Sequence, residues 1–217
     1  MITTVYIIRH GQTLGAEDKR YTGHLDVALS PEGENQMHRL ASYLLIQAIN
    51  ETPAPSHTTD LLDAVYCSDL KRARKSAEII AAAFGLKPIT VPDFKERGFG
   101  RWEGMAIDEI LQTYPAEFDA WSKDPLNFSM TGGESAKTVQ ARVIPAFNEI
   151  VSDKKGKRIA IVAHGGVNRI ILCELLAIPF QNLFRIEQDF GALNICVFYD
   201  DFPVVKRMNY VINGGRS

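Results

Sequence analysis

Two apolar segments that lie far apart in the chain each end in a His-Gly pair. Val5 to Ile8 has the pattern of a buried strand, and Arg9-His10-Gly11 follows it directly. Arg158 to Ala163 is a second segment of this kind, followed by His164-Gly165-Gly166. In open α/β sheets, ligands bind at the carboxyl ends of the strands. One such pair alone would indicate an ordinary strand terminus, but two of them predict a common site at one sheet edge.

The arrangement of the remaining segments predicts the fold. Apolar strands alternate with segments whose apolar residues recur at helical spacing, which is typical of a three-layer α/β/α sandwich. We expect a mostly parallel sheet with one antiparallel strand, because Leu193 to Tyr199 and Val204 to Ile212 have the pattern of an antiparallel pair. The 217 residues suit a single domain, residues 1–217, with a small cap-like insertion at about 97–133.

Capping signals set the expected helix boundaries. Ser30-Pro31-Glu32 predicts a helix start. Ser68 is the predicted N-cap of a helix from Asp69 to Phe84, with Gly85 as its stop. Two segments are expected to form loops without regular structure, and these are Asn50 to Asp60 and Asn213 to Ser217.

Composition excludes several classes of partner. The formal net charge is −2 and the Lys and Arg residues are scattered, so we expect no nucleic-acid partner and no anionic membrane surface. No apolar stretch is long enough to span a bilayer, and Arg9 interrupts the apolar start, which argues against a secretory signal. The three cysteines are widely spaced in apolar contexts, so we expect reduced thiols in a cytoplasmic protein.

His10 beside Arg9 has the composition of a phosphoryl-transfer site. A phosphate monoester carries close to two negative charges near neutral pH, so its catalysis is mostly positioning and charge neutralisation. Arg offers fixed, forked donors that match phosphate oxygens. Arg9 and His164 are candidates for a phosphate cradle, and Arg72 joins them only for its place in the motif described below. His10 would attack phosphorus through a neutral ring nitrogen, with its other nitrogen donating to a carbonyl.

A leaving alkoxide needs a proton, so a carboxyl group must lie near this cradle. Glu96 is the preferred candidate, ahead of Glu103 and Glu17. It begins a segment, Glu96 to Gly104, whose glycines, aromatic residues and charges are typical of a functional loop. The alternative is an ion pair between Glu96 and Arg97 or Arg101, which sequence spacing does not exclude.

Aromatic residues in and after this segment leave a structural question open. Trp102, Phe118, Trp121 and Phe128 form either a small cap over the sheet edge or a satellite core. The sequence favours neither arrangement.

Segments that carry a family resemblance are spread over nearly the whole chain. They are Arg9 to Thr13, Tyr21 to Asp26, Leu29 to Gly33, Ser68 to Ala73, Glu96 to Gly104, Gly132 to Ser135 and Ala163 to Gly166. Together they resemble the signature of the histidine phosphatase (phosphoglycerate mutase-like) superfamily. The resemblance implies His10 as phosphorylated nucleophile and Glu96 as proton donor. It further implies Arg9, Arg72 and His164 as phosphate ligands, without a metal and without a cofactor.

Two stretches refine this resemblance. Many family members carry Asn, a further phosphate contact, where this chain has Ala16, so that contact is in doubt here. The segments Gly15 to His24 and Gln188 to Asn194 are similar to the α-ribazole phosphatase branch. Further candidates for substrate binding are Gln12, Thr22, Gly23, Arg101 and Gly165.

The sequence therefore predicts a metal-independent phosphomonoesterase that acts on a small phosphorylated metabolite, with α-ribazole 5′-phosphate as one candidate. A cofactor-dependent phosphoglycerate mutase is the first alternative, although family mutases carry a longer insert between Glu96 and Glu134. A catalytically silent module that binds phosphoryl ligands is the second. The oligomeric state stays open, and a homodimer is one option.

Overall fold

The computed structural model describes residues 1–51, 57–58 and 61–212. Six strands form one sheet in this part of the chain, and they are β1 (Ile2–Arg9), β2 (Ala64–Cys67), β3 (Ile89–Thr90), β4 (Arg158–Ala163), β5 (Leu193–Tyr199) and β6 (Phe202–Tyr210). Their order across the sheet is β3-β2-β4-β1-β5-β6. The first four strands are parallel, whereas β5 is antiparallel to both of its neighbours, β1 and β6.

Helices cover both faces of this sheet. They are α1 (Pro31–Glu51), α2 (Lys71–Ala83), α3 (Ile107–Thr113), α4 (Pro115–Lys123), α5 (Ala136–Asp153) and α6 (Gly165–Leu175). Alternate strand residues point to opposite faces. Ile8 and Val162 therefore pack with α1 and α2, while Ile7 and Ile161 pack with α5 and α6. The predicted three-layer α/β/α sandwich is confirmed, and its central strands are buried on both faces.

Adjacent strands bring the two His-Gly pairs to one edge. β1 and β4 pair in parallel with Arg9 opposite Ala163, so His10 and His164 each follow the end of a neighbouring strand. The backbone N–H of His10 continues this ladder by donating to the carbonyl of Ala163 at 3.0 Å. The prediction of a common sheet edge is confirmed.

One predicted helix boundary is wrong. Helix α1 begins as expected, since the Ser30 hydroxyl accepts a hydrogen bond from the Gly33 N–H at 3.0 Å. Helix α2 begins at Lys71 after Leu70, and Ser68 is therefore not its N-cap. The Ser68 hydroxyl accepts from the Leu70 N–H at 3.3 Å, ahead of the helix, and also lies 2.8 Å from a ring nitrogen of His164.

The two predicted loops are covered only in part. The first two residues of 50–60 belong to α1, while 52–56, 59–60 and the whole of 213–217 lie outside the described residues. None of the helices described combines the length and apolarity that a membrane crossing requires.

The segment 97–133 has a small core of its own. Trp102, Ile110 and Met130 are buried there as a cluster separate from the two clusters that flank the sheet. Tyr21, Phe99, Phe118, Trp121 and Phe128 pack around them. The four predicted aromatic residues thus belong to a satellite core. This core borders the sheet edge where His10 lies, because Tyr21 and His10 line the same cavity.

Candidate active site

His10 is buried and held in one tautomer. Only 3% of its surface is exposed. Its Nδ1 lies 2.7 Å from the carbonyl oxygen of Gly11, and a carbonyl only accepts, so Nδ1 carries the proton. The other nitrogen, Nε2, then holds a lone pair and has no hydrogen-bond partner among the described residues. The predicted orientation of His10 toward a carbonyl is confirmed.

The surroundings of His10 keep it neutral. Burial lowers the pKa of His10 well below 6.5, and the charges of Arg72 and Arg9 lower it further. The hydrogen bond to Gly11 acts in the opposite direction but does not reverse the shift. A neutral imidazole with a free Nε2 is a nucleophile at neutral pH.

Arg9, Arg72 and His164 each present a buried nitrogen atom that has no hydrogen-bond partner in the described part of the chain. These atoms are Nε of Arg9, Nε of Arg72 and Nδ1 of His164. The remaining nitrogens of Arg72 are occupied, since Nη1 donates to Leu25 O at 2.8 Å and Nη2 to Gly23 O at 2.6 Å. Buried polar groups are normally hydrogen-bonded. Three orphaned nitrogens around one histidine therefore indicate a binding site for an acceptor-rich ligand.

Four of the five candidate residues line a common cavity. Arg9, His10, Arg72 and Glu96 line a space of about 300 Å³, here named the His10 cavity. Its other walls are Thr13, Gly15, Ala16, Lys19, Arg20, Tyr21, Thr22 and Phe190. The ring of His164 lies against that of His10, with a centroid distance of 5.1 Å. The structure thus brings together all five residues predicted to bind phosphate or to catalyse.

Burial also acts on the two partners of His10. It lowers the pKa of Arg9 to about 10, with Glu96 acting in the opposite direction, so this guanidinium stays charged at neutral pH. Burial lowers the pKa of His164 well below 6.5, helped by the charge of Arg72. The cradle therefore combines charged guanidinium groups with neutral imidazoles.

Glu96 reaches this cavity from the loop after β3. Its Oε1 accepts from the backbone N–H of Arg97 at 2.9 Å, and its Oε2 accepts from that of Gly166, in the first turn of α6, at 3.1 Å. The alternative of an ion pair with Arg97 is not what the structure shows. The Arg97 guanidinium instead donates to the carbonyls of Glu134 and Phe128.

The other two candidate acids lie elsewhere. The Glu103 carboxylate accepts from the backbone N–H groups of His24 and Phe99, which makes it a loop support. Glu17 is exposed in a short 3₁₀ turn, Ala16–Asp18. Of the three carboxylates, Glu96 is the one among the cavity-lining residues.

One of the further substrate-binding candidates lines the His10 cavity, and two others, Gly23 and Gly165, lie close to arginines that line it. Thr22 lines it directly. Gly23 holds Arg72 through its carbonyl and has a φ of 46°, and a Cβ there would lie 2.3 Å from the Glu103 carboxylate. Gly165 opens α6, and a Cβ there would lie 3.4 Å from the orphaned Nε of Arg9.

Two other candidates are turned away from this cavity. The Gln12 side chain accepts from the Ser30 hydroxyl at 3.0 Å, which ties it to the start of α1. Arg101 pairs with Glu117 at 3.1 Å and lies over the ring of Tyr114, within the satellite core segment. Neither is among the residues that line the His10 cavity. The side chains of Gln12 and Arg101 are therefore engaged in other contacts, which the sequence did not reveal.

The chain matches, over residues 5–211, the family model described as the histidine phosphatase superfamily (branch 1). It belongs to the histidine phosphatase superfamily. The family predicted from the sequence motifs is therefore confirmed.

Its curated relatives have different names. Phosphoglycerate mutase-like protein 4 of Arabidopsis thaliana is 35% identical over 167 residues, which cover 76% of this chain and 67% of the relative. Phosphoserine phosphatase 1 of Hydrogenobacter thermophilus is 27% identical over 96% of this chain and 93% of the relative. Adenosylcobalamin/α-ribazole phosphatase of Escherichia coli is 24% identical over 94% of this chain and 95% of the relative.

A solved structure agrees in fold. Bacillus stearothermophilus YhfR superposes with a TM-score of 0.80 at 28% identity, covering 94% of this chain and 95% of that one. The two chains thus share one architecture over nearly their whole length.

One wall of the His10 cavity contains Ala16, the position at which the family resemblance led us to expect Asn. Its methyl group offers no hydrogen bond, so a phosphoryl group would rely on the guanidinium and imidazole nitrogens. Lys19, with a left-handed backbone (φ 51°), lines the same wall and brings a further cation.

Sequence reasoning missed the residues that hold the Glu96 loop. Arg142 of α5 donates to the carbonyls of Asp93, Lys95 and Glu96 at 2.6, 2.8 and 3.1 Å. Its Nε and Nη2 bind the carboxylate of Glu134, at 3.0 and 2.9 Å. The ring of His24 adds a contact of 2.8 Å to the Glu96 carbonyl. The available signal was the Gly-Gly-Glu-Ser motif, which contains Glu134.

Buried amides hold Arg9 in a similar way. The backbone carbonyl of Gln188 accepts from the Arg9 guanidinium. The Gln188 side chain exchanges two hydrogen bonds with Asn194, at 2.9 and 2.8 Å, and Asn194 also donates to Ile7 O at 3.0 Å. The Arg9 guanidinium stacks on Phe190, 3.9 Å from the ring centroid. The segment noted for its branch resemblance, Gln188 to Asn194, thus supports a phosphate-binding candidate.

Proposed function

We propose that the protein is a phosphomonoesterase that works through a phosphohistidine at His10. The observation that carries the proposal is the open Nε2 of His10 beside three buried nitrogens that have no protein partner. A phosphoryl group supplies both an electrophilic centre for the nucleophile and oxygen acceptors for the cradle. The names of the phosphatase relatives support the same reaction class.

In the first step, the phosphate dianion binds to Arg9, Arg72 and His164. Nδ1 of His164 acts as a donor if the Ser68 hydroxyl donates to Nε2 of the same ring. Nε2 of His10 then attacks phosphorus as the bond to the leaving oxygen breaks. A protonated Glu96 carboxyl transfers its proton to that oxygen, and the alcohol leaves.

In the second step, water replaces the alcohol. The Glu96 carboxylate takes a proton from the water as its oxygen bonds to phosphorus, and the bond between phosphorus and Nε2 breaks. Inorganic phosphate is released, His10 regains its neutral form and Glu96 is again protonated. Each residue returns to its starting state, so neither step needs a redox partner.

For the substrate, we propose α-ribazole 5′-phosphate as the first compound to test. The relative from Escherichia coli and the similarity of the Gln188 to Asn194 segment support this choice. A panel of phosphorylated metabolites that includes phosphoserine and 3-phosphoglycerate tests it. A kcat/KM for α-ribazole phosphate far below that of another panel member would overturn the choice.

The setting of this enzyme is also a proposal. The three cysteines of the chain are free and buried in the structure, which supports a reducing cytoplasmic compartment. The scattered cations support a small-molecule substrate without a nucleic-acid partner. Light scattering in solution decides between a monomer and a homodimer.

Phosphoglycerate mutase activity is the second candidate, because one relative is named mutase-like. A mutase would return the phosphoryl group from His10 to an acceptor alcohol. Product analysis with 3-phosphoglycerate and bisphosphoglycerate separates the two reactions. Phosphate release supports hydrolysis, and isomerisation supports the mutase.

A silent binding module is less well supported by the geometry. It would keep the cation cradle without a nucleophile or an acid, yet His10 and Glu96 both line the cavity. Turnover of an aryl phosphate is the direct check. Phosphate binding without turnover at any pH would favour the module.

A further inference from the structure

A second cavity adjoins the first at Glu96. It has a volume of about 300 Å³, and Glu96 and Tyr21 line both cavities. Its remaining walls are Arg97, Phe99, Trp121, Ala136, Val139, Gly166, Arg169, Ile170, Leu183 and Phe184. Most of these walls are apolar, so we name it the apolar cavity. It lies between the satellite core segment, the helices α5 and α6, and the segment that contains Leu183 and Phe184.

The apolar cavity has an aromatic wall with unused contacts. The rings of Trp121 and Phe184 meet edge to face at a centroid distance of 6.4 Å. Phe184 is 54% exposed, so its ring is accessible from the cavity that it lines. The Nε1 of Trp121 is buried and has no hydrogen-bond partner among the described residues. An aromatic surface with an orphaned N–H suits a ring that carries an acceptor.

Reaction geometry indicates what this second cavity holds. In an in-line displacement the leaving oxygen lies opposite the attacking nitrogen. Glu96 must reach that oxygen in order to protonate it, so the alcohol continues from His10 past Glu96. The apolar cavity adjoins this path, because Glu96 lines both cavities, whereas His10 lines the first and is not among the residues that line the second.

We propose that the apolar cavity binds the alcohol portion of the substrate, and that this portion is bulky, apolar and at least partly aromatic. The inference rests on the proposed function and narrows its substrate class. Cavities of about 300 Å³ are large enough for a small organic ligand. A compact charged alcohol, such as the serine or glycerate portion of a phosphorylated acid, would leave the apolar walls without contacts.

Two matched phosphate esters test this inference by turnover. Propyl phosphate and 3-phenylpropyl phosphate have leaving alcohols of closely similar acidity, so the chemical step is the same for both. We expect kcat/KM of the phenyl compound to be at least about tenfold higher, which corresponds to about 1.4 kcal/mol. Equal values for the two esters would overturn the inference while leaving the phosphatase proposal intact.

Binding tests the same point without turnover. Butylphosphonate and 4-phenylbutylphosphonate replace the ester oxygen by a methylene group and cannot be hydrolysed at that position. Titration calorimetry with the wild-type protein should give at least about tenfold tighter binding of the phenyl compound. If this preference appears but no ester is hydrolysed, the proposed function fails and the ligand class stands.

Variants locate the preference in the apolar cavity. Trp121→Ala removes one wall but also contacts with Trp102 and Phe118, and so can unfold the satellite core. Phe184→Ala avoids this problem, since its ring contact is with Trp121. Phe184→Ala should reduce the phenyl preference, which is the ratio of the two kcat/KM values, at least about threefold.

A matched control is available on the sheet edge. Phe202 of β6 is 69% exposed and is not among the residues that line either cavity. Phe202→Ala should leave the phenyl preference unchanged. A preference that survives Phe184→Ala, or that falls equally in Phe202→Ala, would place the alcohol portion elsewhere and overturn the inference.

Discussion

At the scale of single residues, the position of one proton decides what His10 can do. Because Nδ1 donates to Gly11 O, the lone pair is on the nitrogen that has no protein partner. The cations that would bind phosphate also lower the pKa of this imidazole. The same charges would therefore hold the substrate and keep the proposed nucleophile unprotonated.

His10→Ala should reduce turnover of every phosphate ester by more than about 10³-fold, because it removes the proposed phosphoryl acceptor. Steady-state kinetics with p-nitrophenyl phosphate measures this. The matched control is His38→Ala, since His38 is exposed on α1. A wild-type rate in His10→Ala would exclude His10 as the nucleophile.

Glu96→Gln should affect substrates according to their leaving groups. General acid catalysis contributes about 10²–10⁴-fold, so alkyl phosphates should lose about that much activity. p-Nitrophenyl phosphate, whose leaving group needs no proton, should lose less than about tenfold in its phosphorylation step. Presteady-state kinetics separates this step from hydrolysis of the phosphoenzyme, and Glu149→Gln, at an exposed position of α5, is the control. Equal losses for both substrates would contradict the role of Glu96.

Several of these residues were predictable from the sequence for a physical reason. His10 and His164 follow apolar strands, and parallel neighbours end at the same edge. Arg72 required the family motif, because four cations begin α2 and spacing does not tell which one is buried. The structure buries Arg72 and leaves Lys71, Arg74 and Lys75 exposed.

At the scale of elements, α5 fixes the loop that carries the acid. Arg142 donates to the carbonyls of Asp93, Lys95 and Glu96 in that loop and to the carboxylate of Glu134. Hydrogen bonds from Arg142 and from the Gly98 N–H lower the pKa of Glu134, although its burial acts in the opposite direction. The position of Glu96 therefore depends on a helix that does not itself line the His10 cavity.

Arg142→Met should disturb the acid without disturbing the cradle. Small displacements of catalytic groups can cost about 10²-fold, so kcat for alkyl phosphates should fall by about ten- to a hundredfold. Inhibition by inorganic phosphate should stay within about twofold of wild type, and Arg39→Met on α1 is the control. If Arg142→Met lost both kcat and inhibition by inorganic phosphate, the whole site would be disrupted, and a specific effect on Glu96 would be contradicted.

Element boundaries were predictable where local chemistry decides them and not where a distant partner competes. Ser30 caps α1 as its sequence indicates. Ser68 has the same local signature, but its hydroxyl contacts His164, which lies 96 residues away in the sequence. Arg101 and Arg142 show the same limit, because only the folded chain reveals which carbonyls and carboxylates each guanidinium meets.

At the scale of the whole molecule, the site reduces stability in acid. His10 and His164 stay neutral in the folded state because their pKa values lie well below 6.5, whereas the unfolded chain takes up protons near that pH. Where the unfolded state binds more protons, stability rises with pH. Stability is therefore lost as the pH falls below about 6.5.

The cost at about pH 5.5 should be on the order of 1 kcal/mol for each of the two histidines. Urea unfolding at about pH 7.5 and 5.5 in phosphate-free buffer measures it. His164→Gln should lose less stability between these two pH values than wild type, whereas His38→Gln should behave like wild type. The same pH dependence in all three proteins would show that the buried imidazoles are not its source.

The most direct measurement of the central claim is the trapping of a phosphoenzyme. The protein is mixed with a phosphate ester, quenched in alkali and analysed by mass spectrometry, since phosphohistidine survives alkali and is lost in acid. We expect one phosphoryl group on His10 of the wild-type protein. The phosphoenzyme should be absent in His10→Ala and longer-lived in Glu96→Gln. Turnover without any phosphoenzyme, or with the label on another residue, would contradict it.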